Sequence, residues 1–237
     1  MLRIAGAFIL IACIISPYIA LAGDPPDADR WGDPSFSINI IGGGDIVPAA
    51  FNTVHWYEYD DSRLKLGTTN KTAWNPTWEA GLTLGFYPSE QFIRWGLMIE
   101  ALYVQTNGTF SGDLKKHGES YRGYSERQFI RMYQLNVLSR VYFMKKKFRP
   151  FLEAGIGPAR TDLTLFDETR FGYGAAVHVG SGVEYRFTKW FGLSGGMRFS
   201  DIFGFKYDFS PSEKELVQIQ SRYTPLSVLV NTSFFLF

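Results

Sequence analysis

Residues 173–187 read YGAAVHVGSGVEYRF, and this stretch decides the fold class. Apolar side chains occupy nearly every second position, and Gly, Ala, His, Glu or Arg stand between them. In a β-strand, side chains two residues apart point to the same face, so one face is apolar and the other is small or charged. The pattern predicts a strand whose apolar face meets lipid and whose other face lines a narrow interior.

The same alternation recurs in seven other stretches of the 237-residue chain. Together they predict eight strands, over residues 35–44, 76–87, 92–105, 127–143, 149–159, 172–187, 190–203 and 223–237. The connections alternate in length, with long ones at 45–75, 106–126, 160–171 and 204–222 and short ones at 88–91, 144–148 and 188–189. Short periplasmic turns and long extracellular loops have this rhythm. We predict an all-β, eight-stranded antiparallel up-and-down transmembrane β-barrel that is a monomer; the alternatives are a soluble β-sandwich and a lipocalin-like barrel.

The first residues have the composition of a secretory signal. Arg3 precedes an apolar run, and Ala20-Leu21-Ala22 supplies small residues at a cleavage site. We therefore predict a signal peptide over 1–22, a periplasmic leader over 23–34 and an outer-membrane β-barrel over 35–237. The predicted location is the outer membrane of a Gram-negative bacterium. Residues 10–13 read LIAC and resemble a lipobox, so acylation of Cys13 is the alternative.

Charge and composition exclude several classes of protein. Lys and Arg number 24 against 23 Asp and Glu, a balance that argues against a nucleic-acid partner. The single Cys excludes a disulfide framework and a Cys-based zinc site. The histidines, His55, His117 and His178, lack metal-ligand spacing, so we predict no metal and no cofactor.

Charged residues recur on the inward face of the predicted strands. An unpaired charge in a poorly solvated interior is very unfavourable, so opposite charges should pair. The interior of an eight-stranded barrel is just wide enough for side chains, which predicts a plugged lumen. A gated proton or ion path and an acid–base site are the alternatives. The predicted lumen network comprises Glu79, Arg94, Glu100, Arg140, Glu153, His178, Glu184, Arg186 and Arg198.

Basic residues cluster in the second long connection and the strand after it. Guanidinium and ammonium groups bind phosphate well, so we predict a contact with lipopolysaccharide at the outer rim. A solvated loop face is the alternative. The residues are Lys115, Lys116, Arg122, Arg127 and Arg131.

Residues 149–158 read RPFLEAGIGP, and the chain ends in Phe237. With the signal peptide and the strand rhythm, these features resemble the small outer-membrane β-barrel family of the OmpA membrane-domain and OmpX type. A terminal Phe resembles the signal read by the outer-membrane assembly machinery, which makes that machinery an implied partner. The alternation leaves open which face Phe237 takes.

A narrower resemblance covers residues 149–171, 184–187 and 197–200, which are similar to the lipid A 3-O-deacylase barrels. Those enzymes carry a His-x-Ser pair near the outer end of the seventh strand. The matching positions here are Asp201 and Phe203, so no catalytic residue is carried over. We therefore expect a non-enzymatic structural or surface-interaction role. The alternatives are a lipid A deacylase-like hydrolase and a narrow pore for small solutes.

Overall fold

The computed structural model describes residues 36–47, 50–60, 62–74, 77–87, 94–116, 119–144, 147–212 and 215–237. Within these ranges it describes the backbone alone at 46–47, 50–60, 62–74, 94, 110–116, 119–124, 126, 211–212 and 215. The predicted signal peptide, the leader and Cys13 lie outside the described residues. No helix in the described part of the chain is long and apolar enough to cross a membrane.

The described chain folds into eleven antiparallel strands, and eight of them close into a ring. The ring order is β1-β4-β5-β6-β7-β8-β9-β11, and β11 pairs with β1 to complete it. This topology confirms the predicted eight-stranded antiparallel fold. The strands are β1 Phe36–Val47, β2 Ala50–Asp60, β3 Ser62–Trp74, β4 Trp78–Phe86, β5 Arg94–Lys116, β6 Glu119–Tyr142, β7 Phe148–Leu165, β8 Glu168–Arg186, β9 Phe191–Ser212, β10 Glu215–Tyr223 and β11 Leu226–Leu236.

The segments predicted as long loops are largely strand, which corrects the sequence-based expectation. Residues 45–75 contain the β2–β3 hairpin, and residues 204–222 contain the end of β9 and its hairpin partner β10. Strands β5 and β6 pair continuously as far as Lys116 and Glu119. The β7–β8 connection is a two-residue turn in which Phe166 and Asp167 have φ of 53° and 58°, as a tight hairpin requires.

This second tier of strands lies at one end of the ring. There β10 pairs with β9 and β2, and β3 pairs with the far part of β5. We call this end the long end. The opposite end, which carries Phe36 and Phe237, is the short end.

The outer face of the ring is an apolar belt between two aromatic edges. On β6 it runs from Tyr133 to Phe143, which at about 3.3 Å per residue and a tilt of about 40° is about 25 Å high. Toward the long end, the ring centroids of Trp78 and Tyr133 lie 5.1 and 5.2 Å from that of Tyr103. These dimensions match the lipid-facing band of membrane barrels.

The last strand resolves the orientation of the terminal residues. Phe235 is 1% exposed and points inward, whereas Phe237 is 43% exposed. The Phe237 ring packs edge-on against Trp190 at 5.3 Å, and Lys189 Nζ lies 4.5 Å from its centroid. Phe237 therefore lies on the exterior of the short end, just beyond the strand.

The interior changes character along the barrel axis. Toward the long end it is apolar, a feature that was not predicted from the sequence. Between this layer and the short end, the inward face carries the charged side chains and a second apolar cluster formed by Tyr87, Met98, Leu138, Tyr142 and Phe151. Burial raises the pKa of Tyr223 in the second tier to about 12, so its phenol stays neutral. The apolar layer includes Ile130, Met132, Ile202, Phe205, Tyr207, Phe209, Val217, Ile219 and Tyr223.

Candidate functional site: a buried ion network across the barrel

A bidentate ion pair crosses the interior of the barrel. Glu100 lies on β5 and Arg198 on β9, strands that occupy opposite positions in the eight-strand ring. Arg198 Nη1 donates to Glu100 Oε1 at 2.8 Å, and Nη2 donates to Oε2 at 2.9 Å. The two side chains are 2% and 0% exposed. Planar two-point pairing of this kind is the strongest form of a protein ion pair, and here it spans the full width of the lumen.

Glu153 on β7 joins this pair to a second arginine. Its Oε1 accepts from Arg198 Nε at 3.0 Å and from Nη2 at 2.9 Å. Its Oε2 accepts from Arg140 Nε at 3.1 Å and from Nη2 at 2.8 Å. One carboxylate therefore takes four hydrogen bonds from two guanidinium groups, so the charges of Glu100, Glu153, Arg140 and Arg198 cancel.

A tyrosine and a second ion pair extend the network toward the short end. Arg140 Nη1 donates to the Tyr142 hydroxyl at 3.3 Å, and that hydroxyl donates to Glu184 Oε2 at 3.0 Å. Arg186 Nε lies 3.6 Å from Glu184 Oε1, and its guanidinium lies 4.0 Å from the Phe235 ring centroid. The chain of contacts thus continues from the diametric ion pair to β8.

The structure brings together six of the predicted lumen residues and places two others elsewhere in the interior. Glu100, Arg140, Glu153, Glu184, Arg186 and Arg198 form the network described above. The side chain of Arg94 lies outside the described residues. Glu79 and His178 are buried, and each makes its closest polar contact elsewhere in the interior.

Glu79 belongs to a small cluster between β1, β4 and β11. Ser227 Oγ lies 2.6 Å from Asp45 Oδ1 and 2.5 Å from Glu79 Oε1. A hydroxyl has one proton to donate, so Ser227 can donate to only one of the two groups. The other carboxyl must itself carry a proton to make its contact.

His178 forms a pair with Ser200 that the sequence analysis did not predict. His178 Nδ1 lies 2.8 Å from Ser200 Oγ, and both side chains are buried. In an acyl-transfer site, a third group orients the second ring nitrogen of the histidine. Here Nε2 has no hydrogen-bond partner among the described residues. The pair therefore lacks the third member of a nucleophilic triad and has no surface exposure.

The two positions that match the deacylase motif lie on the outer face. Asp201 forms an ion pair with Arg222 of β10 through both carboxylate oxygens, and the exposed Phe203 lies two residues further along β9. Neither side chain points toward the lumen. The described residues contain no cluster of three His, Cys, Asp or Glu side chains that could hold a metal ion.

Of the predicted lipopolysaccharide contacts, Arg127 and Arg131 lie exposed on the outer face of β6. The side chains of Lys115, Lys116 and Arg122 fall outside the described residues. Arg160 was not among the predicted residues, and β-sheet pairing places it opposite Tyr133 on the same surface. Its outward direction on β7 could have been predicted from the alternation, because Ile156 and Pro158 precede it at two-residue spacing on the same face.

Residues 42–213 match the family described as outer membrane protein beta-barrel domain. No curated protein matches the chain in sequence. Among solved structures, the chain is similar to OprG of Pseudomonas aeruginosa, with a TM-score of 0.51, 15% identity and coverage of 86% of this chain and 97% of OprG. It also aligns with Neisserial surface protein A, at a TM-score of 0.45 and 14% identity over 84% of this chain and 97% of that one.

The likeness to OprG supports the fold alone, whereas the family model covers well over half of the sequence. The closed ring and its apolar belt agree with that match. The protein therefore belongs to the outer membrane protein β-barrel family and resides in the outer membrane.

Proposed function

We propose that this protein is a closed, non-conducting monomeric barrel with a structural or surface-interaction role, and that its long end faces outside the cell. The observation that carries the proposal is the Glu100–Arg198 ion pair, which joins opposite strands and excludes solvent from the centre of the lumen. An ion path needs continuous water, and a guanidinium–carboxylate pair across the full width interrupts it.

Two further features support a closed lumen. The cavity beside the network, lined in part by Phe151, Glu153 and Asn231, has a volume of about 10 Å³. That volume accommodates about one water molecule. Beyond the network, the apolar layer of the second tier packs Phe205, Phe209 and other large side chains across the interior. The paired charges and the apolar layer fill the lumen at two different positions along its axis. Interactions with other molecules are therefore expected on the outer surface and on the second tier.

Planar-bilayer conductance of the purified protein tests this proposal. The wild-type protein should show no channel activity. The double variant Glu100→Ser and Arg198→Ser removes the diametric pair without leaving an unpaired charge, and it should conduct if it folds. The matched control Glu168→Ser and Arg170→Ser removes an exposed ion pair at the β7–β8 turn and should remain silent. Steady single-channel currents from the wild-type protein would overturn the closed-lumen proposal.

The hydrolase alternative makes a separate prediction about lipids. Mass spectrometry of lipid A and phospholipids from outer membranes with and without the protein should give identical acyl-chain profiles. The loss of one acyl chain from lipid A in the presence of the protein would favour a deacylase-like function instead. Its source would then have to be sought in residues other than Asp201 and Phe203, because these two positions supply neither the histidine base nor the serine nucleophile of the deacylase motif.

A further inference from the structure

Arginines of β6 and β7 and aromatic residues of β8 cluster on the outer surface at the long-end edge of the apolar belt. Strand pairing aligns Tyr133, Arg160 and Tyr173 in one row across the three strands. The next row toward the long end aligns Arg131, Asp162 and Phe171. The first row places a guanidinium between two aromatic residues of the kind that mark a membrane interface.

The two arginines are held by aromatic faces and remain open to solvent. The Arg160 guanidinium lies 5.4 Å from the Phe171 centroid, and that of Arg131 lies 4.9 Å from the Phe129 centroid. Arg160 Nε lies 3.1 Å from Asp162 Oδ1, yet the Arg160 side chain is 49% exposed against 18% for Asp162. The cation therefore faces outward, while the carboxylate that supports it is mostly covered.

This surface carries excess positive charge. Arg127 is also exposed on the same face of β6, so that among the described outward side chains of β6 and β7 here, three arginines lie near the single carboxylate of Asp162. Among the side chains that the structure describes, no carboxylate forms an ion pair with Arg127 or Arg131. The nearby Arg170 is matched by Glu168 at 2.9 Å and adds no net charge.

On the short-end side of this cluster, the outer face is apolar. Ile156 of β7 and Val177 and Val179 of β8 are exposed there at 61%, 38% and 58%. A ligand that contacts both the arginines and the apolar residues needs anionic groups at the Tyr133–Tyr173 row and toward the long end, and hydrocarbon on the short-end side of that row. A free phosphate lacks the hydrocarbon, and a soluble acidic protein could not reach a face covered by acyl chains.

We infer that Arg131 and Arg160, with Arg127 beside them, bind the phosphate groups of a multiply phosphorylated, multiply acylated lipid of the lipid A type. Guanidinium groups present paired donors that match phosphate oxygens, and the aromatic contacts hold the two guanidiniums at the interface. Of the five basic residues predicted from the sequence, this site retains Arg127 and Arg131, and it adds Arg160. The inference requires the lipid-facing belt and rests on the proposed orientation of the long end toward the cell exterior, but it is independent of whether the lumen is closed.

Native mass spectrometry of the full-length protein in detergent micelles tests the site, with bisphosphorylated lipid A, dephosphorylated lipid A and inorganic phosphate as probes. In the double variant Arg131→Gln and Arg160→Gln, the Kd for bisphosphorylated lipid A should rise at least tenfold. The control variant Lys189→Gln removes an exposed charge at the short end of the outer surface and should bind within twofold of wild type. Dephosphorylated lipid A should bind wild type and both variants equally weakly.

Equal affinity of the wild-type protein and the arginine variant for bisphosphorylated lipid A would overturn the inference, as would an equal loss in the lysine control. Full competition by inorganic phosphate at the lipid's own concentration would assign the site to a free anion instead. Retained heat-modifiable migration shows that each variant folds, and the single variants Arg131→Gln and Arg160→Gln replace the double one if it does not. A conducting wild-type barrel with intact lipid A binding would refute the closed lumen of the proposed function and leave this site standing.

Discussion

Replacing Glu153 by Gln tests the lumen network at the residue that joins its two arginines. The wild-type carboxylate accepts four hydrogen bonds and is 4% exposed. The change retains the size of the side chain and one carbonyl acceptor, but it removes the negative charge. Arg198 keeps its bidentate partner Glu100, whereas Arg140 loses the carboxylate that lies 2.8 Å from it.

The expected loss follows from the buried, uncompensated charge of Arg140. Removing one partner of a buried ion pair typically destabilises a protein by about 3–5 kcal/mol. Because Gln retains one acceptor oxygen, we expect the lower part of that range, about 3 kcal/mol in the free energy of unfolding. The matched control Glu168→Gln makes the same chemical change in the exposed pair with Arg170 and should lower stability by about 0–1 kcal/mol.

Equilibrium urea unfolding in lipid vesicles, followed by tryptophan fluorescence, measures both variants against the wild-type protein. The midpoint for Glu153→Gln should fall clearly below that of Glu168→Gln with no change in slope. Conductance of Glu153→Gln should remain absent, since the Glu100–Arg198 pair still crosses the lumen. A Glu153→Gln protein as stable as the control would refute the reasoning, because the network would then contribute nothing beyond a surface pair.

Three further changes test the packing, the acidic cluster and the chain end. Gly157→Ala should lower stability by about 1–3 kcal/mol in urea titrations, because an added Cβ would lie 2.1 Å from a backbone oxygen of β6, whereas Gly195→Ala meets nothing within 4 Å and should be neutral. Glu79→Gln puts a neutral group beside Asp45 and should leave the unfolding midpoint within the error of wild type, because the single Ser227 hydroxyl leaves room for only one ionised carboxyl in this cluster; a large loss would show that the charge of Glu79 stabilises the fold. Deletion of Phe237 should slow insertion by the outer-membrane assembly machinery in a reconstituted assay, and an unchanged rate would remove Phe237 from that signal.

The pleat of a strand makes the inward or outward direction of each side chain a local property. The alternation therefore placed Glu100, Arg140, Glu153 and Arg198 on the inner face before any contact was known. The extension of β9 at the long end shows the same alternation. Phe205, Tyr207 and Phe209 point inward and alternate with polar residues. This alternation was not interpreted as a strand because the outward residues there are polar, as residues of a loop usually are.

The choice of partner within the interior is a different matter. Glu79 and Glu100 both point inward, yet Glu79 contacts Ser227, while Glu100 pairs with Arg198, 98 residues away. The position of each residue along the barrel axis depends on the register between strands. The strand that lies across the lumen from it depends on the closure of the ring between β11 and β1. Neither quantity is encoded within one strand.

The lipid-facing arginines show the same division. Their outward direction could be deduced from the alternation of each strand, including that of Arg160. Their alignment with Tyr133 and Tyr173 into a single interfacial row arises from the register of β6, β7 and β8. Amino-acid order thus determined the fold class and the face of each residue, because both follow from a period of two along one strand. Tertiary structure decided which charges pair and which arginines gather, because both depend on ring closure and on register between strands distant in sequence.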